Sequence, residues 1–308
     1  MALMRNALLW CSANRWMSQT LPRYRFVQRA VRRFMPGASL EAALAEAETL
    51  GGAGIGALLT CLGESVSEAS DAEKVCRHYL EVIDRVSERR LDAQLSVKLT
   101  HLGLDLEPGQ ARERLVRVAS RAQEHGSFVW IDMEQSRYVD PTLSLFREAR
   151  SRCRNVGVCV QSYLRRTPAD LETLKHLAPH IRLVKGAYRE APEVAYPRKR
   201  DVDAAYARLA RWLMLECRDN GSWVGIATHV DRLISRSIAM AAELGVPKKA
   251  YEFEMLYGIN RRAQSELARR GHRVRVLISY GDHWFPWYMR RLAERPANML
   301  FLLRSLFR

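Results

Sequence analysis

Eight short apolar, β-branched runs alternate with longer amphipathic segments along this chain, and that alternation limits its fold more than any other feature. Such runs suit strands buried on both faces, as in parallel sheets covered by helices. They fall at 53–60 (AGIGALLT), 94–99 (QLSVKL), 127–133 (SFVWIDM), 156–161 (VGVCVQ), 181–185 (IRLVK), 223–228 (WVGIAT), 249–255 (KAYEFEM) and 273–279 (RVRVLIS). A helical pattern follows each. Thr167-Pro168 with Asp170 predicts a capped start for DLETLKHLA, and Asp140-Pro141 opens a helix the same way. The segment 231–245 has 3.6-residue apolar spacing and ends on Gly245, a residue suited to leave a helix. Strand–helix units at about thirty-residue spacing predict a (β/α)8 TIM-type barrel with an extra N-terminal helix near 39–50. No linker or internal repeat divides the chain, so residues 1–308 read as one domain with an N-terminal helical extension over about 1–50. The rival, an open doubly wound sheet, needs a glycine-rich phosphate turn after an early strand; GGAGIG at 51–56 precedes its strand.

Composition narrows the setting. The hydrophobic share of 48% supports a core without disulfides or metals. Cys11, Cys61, Cys76, Cys153, Cys159 and Cys217 include no CxxC pair, a pattern of buried thiols in a reducing compartment. The start carries neither a cleavable signal nor a membrane span, so the cytoplasm is the expected location. A net charge of +15 favours anionic partners, although an Arg-rich background explains it equally well.

In a TIM barrel the chemistry sits where strands end. Here Lys98 closes the second run, Asp132 and Glu134 the third, and Gln161 and Tyr163 the fourth. Arg182 and Lys185 lie in the fifth before Gly186-Ala187-Tyr188; Thr228-His229 ends the sixth, and the seventh holds Glu252 and Glu254. Polar groups in apolar strands are costly to bury unless they pair or bind something. For any single residue a satisfied interior ion pair is the plain explanation, but a ring of them at one end predicts an active site. Near the C-terminus, Arg290 and Arg291 open the last predicted helix, 288–294. A pair of planar guanidiniums suits a carboxylate ligand, and a solvated surface pair is the alternative.

Together these segments resemble the proline dehydrogenase family. IRLVKGAY (181–188), YEFEMLYGI (251–259), LSVKL (95–99) and YMRRLAE (288–294) are similar to its signature segments and occur in its order. The stretch 33–64 is similar to the N-terminal region of short, monofunctional bacterial members, and the resemblance covers about residues 25–305. It implies a distorted barrel holding non-covalent FAD, which oxidises L-proline to 1-pyrroline-5-carboxylate and passes electrons to a membrane quinone. Carried over by residue, it implies cofactor contacts at Gln161, Arg182, Val184, Lys185, Gly186, Ala187, Thr228, His229 and Glu254, with Arg182 by the flavin N5 edge. It places the substrate carboxylate against Lys98, Arg290 and Arg291, and completes the pocket with Asp132, Tyr188, Leu256, Leu277 and Glu294. Lys98, Asp132, Arg182, Arg290 and Arg291 are the catalytic candidates, and no strong general base stands apart from them.

Three departures bear on this. Leu277 and Ser279 stand in RVLISYG where the family pattern has Tyr and Pro, Glu254 stands where Gln is usual, and Val230 follows His229 where bifunctional members have Asn. A smaller wall at Leu277 extends the expectation from L-proline to substituted rings, since apolar pockets discriminate weakly against modest size changes. Two other classes remain open at this point. Lys98 and Lys185 could form Schiff bases, as in a class I aldolase. The charge and the basic amphipathic tail at 298–308 could instead mark a non-catalytic nucleic-acid or membrane-binding protein, and the tail could equally pack on the barrel. A quinone reductase would visit the bilayer in any case. No metal is expected, because the eight histidines lack HxH or HExxH spacing, and the flavoenzyme reading expects no nucleic-acid partner.

Overall fold

The computed structural model describes Val31 and residues 33–285. Eight parallel strands close into a barrel in sequence order. They are β1 (Gly56–Cys61), β2 (Ala93–Val97), β3 (Val129–Ile131), β4 (Val156–Gln161), β5 (His180–Val184), β6 (Trp223–Ala227), β7 (Tyr251–Leu256) and β8 (Val274–Tyr280). The seam is shut by β8 pairing with β1 along its length, from Gly56 opposite Arg275 to Cys61 opposite Tyr280. Helix α1 (Leu40–Gly52) precedes β1 and packs across β1 and β8. Six further helices follow strands β1 to β6, namely α2 (Ala69–Glu88), α3 (Pro108–Glu124), α4 (Val139–Arg152), α5 (Thr167–Leu174), α6 (Lys199–Asp219) and α7 (Asp231–Glu243). Helix α8 (Arg261–Arg269) follows β7.

Strand alternation divides the residues into two sets. Leu59, Val97, Ile131, Val158, Leu183, Ile226, Phe253 and Ile278 are buried under the helices. Removing each such side chain from water contributes about 1.5–3 kcal/mol. The other set fills the barrel, as contacts between distant strands require. Arg275 on β8 reaches Glu252 on β7 and the carbonyls of Ala57 and Asp92 at the lower ends of β1 and β2. Gly157 makes room for Trp130, since a Cβ there would stand 2.5 Å from the indole.

The predicted strands all exist, with ends shifted by a few residues. The largest difference is β3, three residues long where seven were expected. Its ladder nevertheless runs on: the Phe128 carbonyl accepts from Leu95 N–H, and Asp132 N–H donates to the Val97 carbonyl. Asp132 is thereby held in strand geometry at the rim. Two expected helix starts also differ. Thr167 is already helical, and its hydroxyl donates to the Gln161 carbonyl at 2.6 Å, so it ties α5 to β4 and caps nothing. Helix α4 begins at Val139 after a short 3-10 turn, leaving Asp140 in the first turn to pair with Arg166. The end of α7 behaves as expected: Gly245 has φ +68°, and the Val246 and Gly245 N–H groups bond back to the Ala241 and Ala242 carbonyls. The predicted last helix, 288–294, lies outside the described residues.

Candidate active site

The barrel interior at the carboxyl end of the strands is built around Arg182. β5 places its guanidinium inward, where the side chain is 4% exposed. Its Nη1 donates to Asp132 Oδ1 at 3.0 Å and to Ser96 Oγ at 2.9 Å, and Ser96 in turn donates to the same carboxylate oxygen. Its Nε lies 2.6 Å from Glu254 Oε2, a charge contact not aligned as a hydrogen bond. Below, the guanidinium carbon sits 4.7 Å from the centre of the Trp130 ring, a cation–π geometry. One cation thus meets groups from β2, β3 and β7 together with Asp132 at the rim.

Burial and these charges set the protonation states. Glu254 is pushed up to about 7 by burial, against the pull of Arg182 and with a further push from Glu252. The Cys159 thiol, in the same interior, is raised to about 12 by burial, so it stays protonated. Glu134, expected in the polar ring, is spent on structure: its carboxyl accepts from the Thr100 N–H and hydroxyl, and burial raises its pKa.

Among the described residues, the buried polar atoms in or beside this mouth that lack a hydrogen-bond partner include Arg182 Nη2, Gln161 Oε1, Glu254 Oε1 and Ser279 Oγ. Unpaired buried polar atoms are uncommon in folded proteins and call for an explanation. Here they come from adjacent or facing strands, and a planar ligand with nitrogen and oxygen along one edge fits them. Gln161 is fixed for this, its Nε2 donating to the Met133 carbonyl at 3.2 Å.

The loop after β5 supplies a second surface. Gly186 has φ +109°, and a Cβ there would stand 2.1 Å from the Tyr163 ring. Backbone and aromatic ring therefore meet directly, with Val184 and Gly186 half-buried and Ala187 exposed beside them. Tyr188 is half-buried in the same loop.

Not every candidate converges. Lys185 turns to the outer side of the barrel and pairs with Asp203 on α6, which also holds Arg232. Lys98 stands at the rim on β2's side, paired with Glu64 at 2.9 Å. The two lysines are on opposite faces of the wall and both are ion-paired, an arrangement that speaks against a shared Schiff-base site. His229 Nε2 accepts from the Leu256 N–H at 2.8 Å, which clips β6 to β7. Thr228 is buried, and its hydroxyl accepts from the Val230 N–H. Leu277 shares the inward face of Arg275 by alternation and stands opposite Leu256 in register. Arg290, Arg291 and Glu294 lie outside the described residues.

Sequence reasoning missed Ser96, Trp130 and Glu64. Ser96 and Trp130 each stand two residues before a named candidate, Lys98 and Asp132, so period-two counting down the strand would have found both. Glu64 carried no comparable signal.

Residues 43–304 match the family described as proline dehydrogenase. "Proline dehydrogenase 1" of Bacillus subtilis (strain 168) is 35% identical over 306 residues, covering 99% of this chain and 100% of the relative. The chain belongs to the proline dehydrogenase family. Another member, "Proline dehydrogenase" of Deinococcus radiodurans, is 35% identical over 285 residues, with 90% of this chain and 89% of the relative covered. A solved structure of proline utilization A from Bdellovibrio bacteriovorus, inactivated by N-propargylglycine, superposes with a TM-score of 0.80 at 25% identity. That match covers 87% of this chain and 33% of the longer protein. The closed eight-stranded barrel is thus the proline dehydrogenase fold, and this family member is an oxidoreductase.

Proposed function

We propose that this proline dehydrogenase family member oxidises L-proline to 1-pyrroline-5-carboxylate, or a closely related cyclic imino acid to the corresponding imine. It does so with non-covalently bound FAD and delivers the electrons to a quinone. The observation that carries the reading is the Arg182 cluster, with its unpaired polar atoms at the carboxyl mouth of the barrel. An isoalloxazine edge suits Arg182 and Gln161, while Val184, Gly186 and Ala187 form an apolar, closely approachable strip for its ring and tail. A bound flavin would supply the acceptor for hydride from the ring carbon beside the substrate nitrogen.

The protein's own groups do the rest. Lys98, with Arg290 and Arg291, grips the substrate carboxylate; a fixed guanidinium fork orients it bidentately, so the reacting carbon is held at close range. The same positive charge lowers the pKa of the ring nitrogen, favouring the neutral amine that can release hydride. Glu64, which holds Lys98 in this structure, is the group a substrate carboxylate would compete with. Asp132 fixes Arg182 from the substrate side, while Leu256, Leu277 and Tyr188 enclose the ring and Glu294 steadies an arginine. His229, whose Nε2 accepts from the Leu256 N–H, and Thr228 border the nucleotide portion at the end of β6. Lys185 acts from outside the wall, bracing the β5 loop to α6 through Asp203. Glu254 acts on the cofactor side of Arg182.

A quinone acceptor brings the protein to a bilayer. Among the described residues no helix is long and apolar enough to cross one. Peripheral contact through the basic surface and the 298–308 tail, from a cytoplasmic location, is therefore part of the proposal. Liposome binding that is equal with and without residues 298–308 would remove the tail's share. The reaction itself is tested by incubating FAD-reconstituted protein with L-proline and a soluble quinone and following the mass of the imino acid. A product two hydrogens lighter supports the reading, and no change with any cyclic imino acid overturns it.

A further inference from the structure

Glu254 is placed with more constraint than a simple counter-charge needs. Its carboxylate has Arg182 in front, at 2.6 Å, and the bare backbone of Gly225 behind. A Cβ at Gly225 would stand 2.2 Å from Glu254 Oε1, so the neighbouring strand has given up its side chain to admit this one. The pair is 4% exposed on both sides, and Arg182 is already held by Asp132 and Ser96 on its other edge. The guanidinium thus has two carboxylates, and its central carbon sits over the Trp130 ring at 4.7 Å. With both carboxylates ionised the cluster carries one net negative charge, in an interior that screens it poorly. Among the described residues, the remaining ionisable groups around Glu254 are Glu252 and Arg275 beneath it, with the Cys159 thiol and the Tyr206 hydroxyl nearby. Glu252 and Arg275 pair with each other at 3.0 Å, so they largely cancel.

We propose that Glu254 is a positioning residue that seats Arg182 on Trp130 and, by over-compensating its charge, sets how readily the bound cofactor takes electrons. The inference rests on the proposed flavin at this mouth. Two-electron reduction would add negative charge beside Arg182, and a carboxylate at the guanidinium's Nε edge opposes it. Removing that charge while keeping the shape eases reduction.

Glu254→Gln and Glu254→Ala, compared with the unaltered protein at pH 8, separate the two parts. Seating of Arg182 is read in cofactor-free protein by 19F NMR of 5-fluorotryptophan, the Trp130 signal being assigned with Trp130→Phe. The signal stays in place in Glu254→Gln and shifts in Glu254→Ala; an unmoved signal in Glu254→Ala overturns the positioning role. In FAD-loaded Glu254→Gln, the equilibrium ratio of reduced to oxidised cofactor rises about tenfold, a 29.6 mV increase in midpoint potential for a two-electron couple. An unchanged or lower potential overturns the charge role. If Glu254→Gln fails to fold, Glu254→Asp serves: it keeps the charge, so its potential stays at the parent value, and a rise overturns the proposal. Should the unaltered protein bind no flavin, the proposed function fails, while the Trp130 signal still decides whether Glu254 seats Arg182.

Discussion

Substituting Gly186 with alanine tests whether the β5 loop is built for close approach. The added methyl meets two costs. At φ +109° an L-residue is strained by about 1–3 kcal/mol. The Cβ also falls 2.1 Å from Tyr163 Cδ1, and overpacking of this kind costs about 1–3 kcal/mol. Tyr163 cannot easily withdraw. Its N–H donates to the Lys185 carbonyl at 2.9 Å, its carbonyl accepts from the Tyr196 N–H at 2.8 Å, and its side chain is buried. The expected loss for Gly186→Ala is therefore about 2–6 kcal/mol. Gly245→Ala is the internal control, because Gly245 has a positive φ of +68° with nothing within 4 Å of the new methyl. Only backbone strain of about 1–2 kcal/mol applies there. Urea unfolding followed by circular dichroism measures both, and FAD titration of the folded variants reports the site. FAD affinity should fall in Gly186→Ala and hold in Gly245→Ala. The reasoning is refuted if the two variants unfold within about 0.5 kcal/mol of each other, the scatter of an ordinary surface change.

Other consequences are equally direct. Arg275 is held by Glu252, 1% exposed, and by Asp92, 68% exposed. Glu252→Ala should cost about 3–5 kcal/mol by stranding a buried cation, and Asp92→Ala under about 1 kcal/mol; equal losses in thermal melts would contradict the account of the lower barrel. Glu254 has its pKa raised from 4.5 to about 7, so its share of stability is complete below pH 4.5 and drains away as pH rises through 7, by about 3 kcal/mol. The stability of Glu254→Gln relative to the parent should therefore improve between pH 5 and 8, and a parallel pair of pH profiles would refute this. Leu277→Tyr, which narrows the wall opposite Leu256, should raise KM for 4-substituted prolines several-fold more than for L-proline; equal changes for both would take Leu277 out of the pocket.

The barrel was legible because its period-two, doubly buried runs and 3.6-period helices are written locally. Even β3, short as a regular strand, kept its apolar run. The ring of polar residues at the strand ends was legible for the same reason, since it needs only position along a strand. What stayed hidden was pairing across the barrel. That Arg182 meets Ser96 and Glu254, residues 86 and 72 positions away, follows from strand register and side-chain reach, which closure alone supplies. Lys185 shows the opposite limit. Its place beside Gly186 suggested the site, but one step of alternation turns it outward to Asp203. The hydroxyl of Thr167 looked like a cap and serves as a brace, because the Gln161 carbonyl at the end of β4 accepts from it as well as from the Leu164 N–H.

The account stands or falls most directly on one anaerobic visible spectrum of the FAD-supplemented protein, recorded before and after L-proline. It predicts a flavin band that stays with the protein through gel filtration and bleaches when the imino acid is added. A colourless protein after that preparation, or a bound band that no cyclic imino acid bleaches, would contradict it.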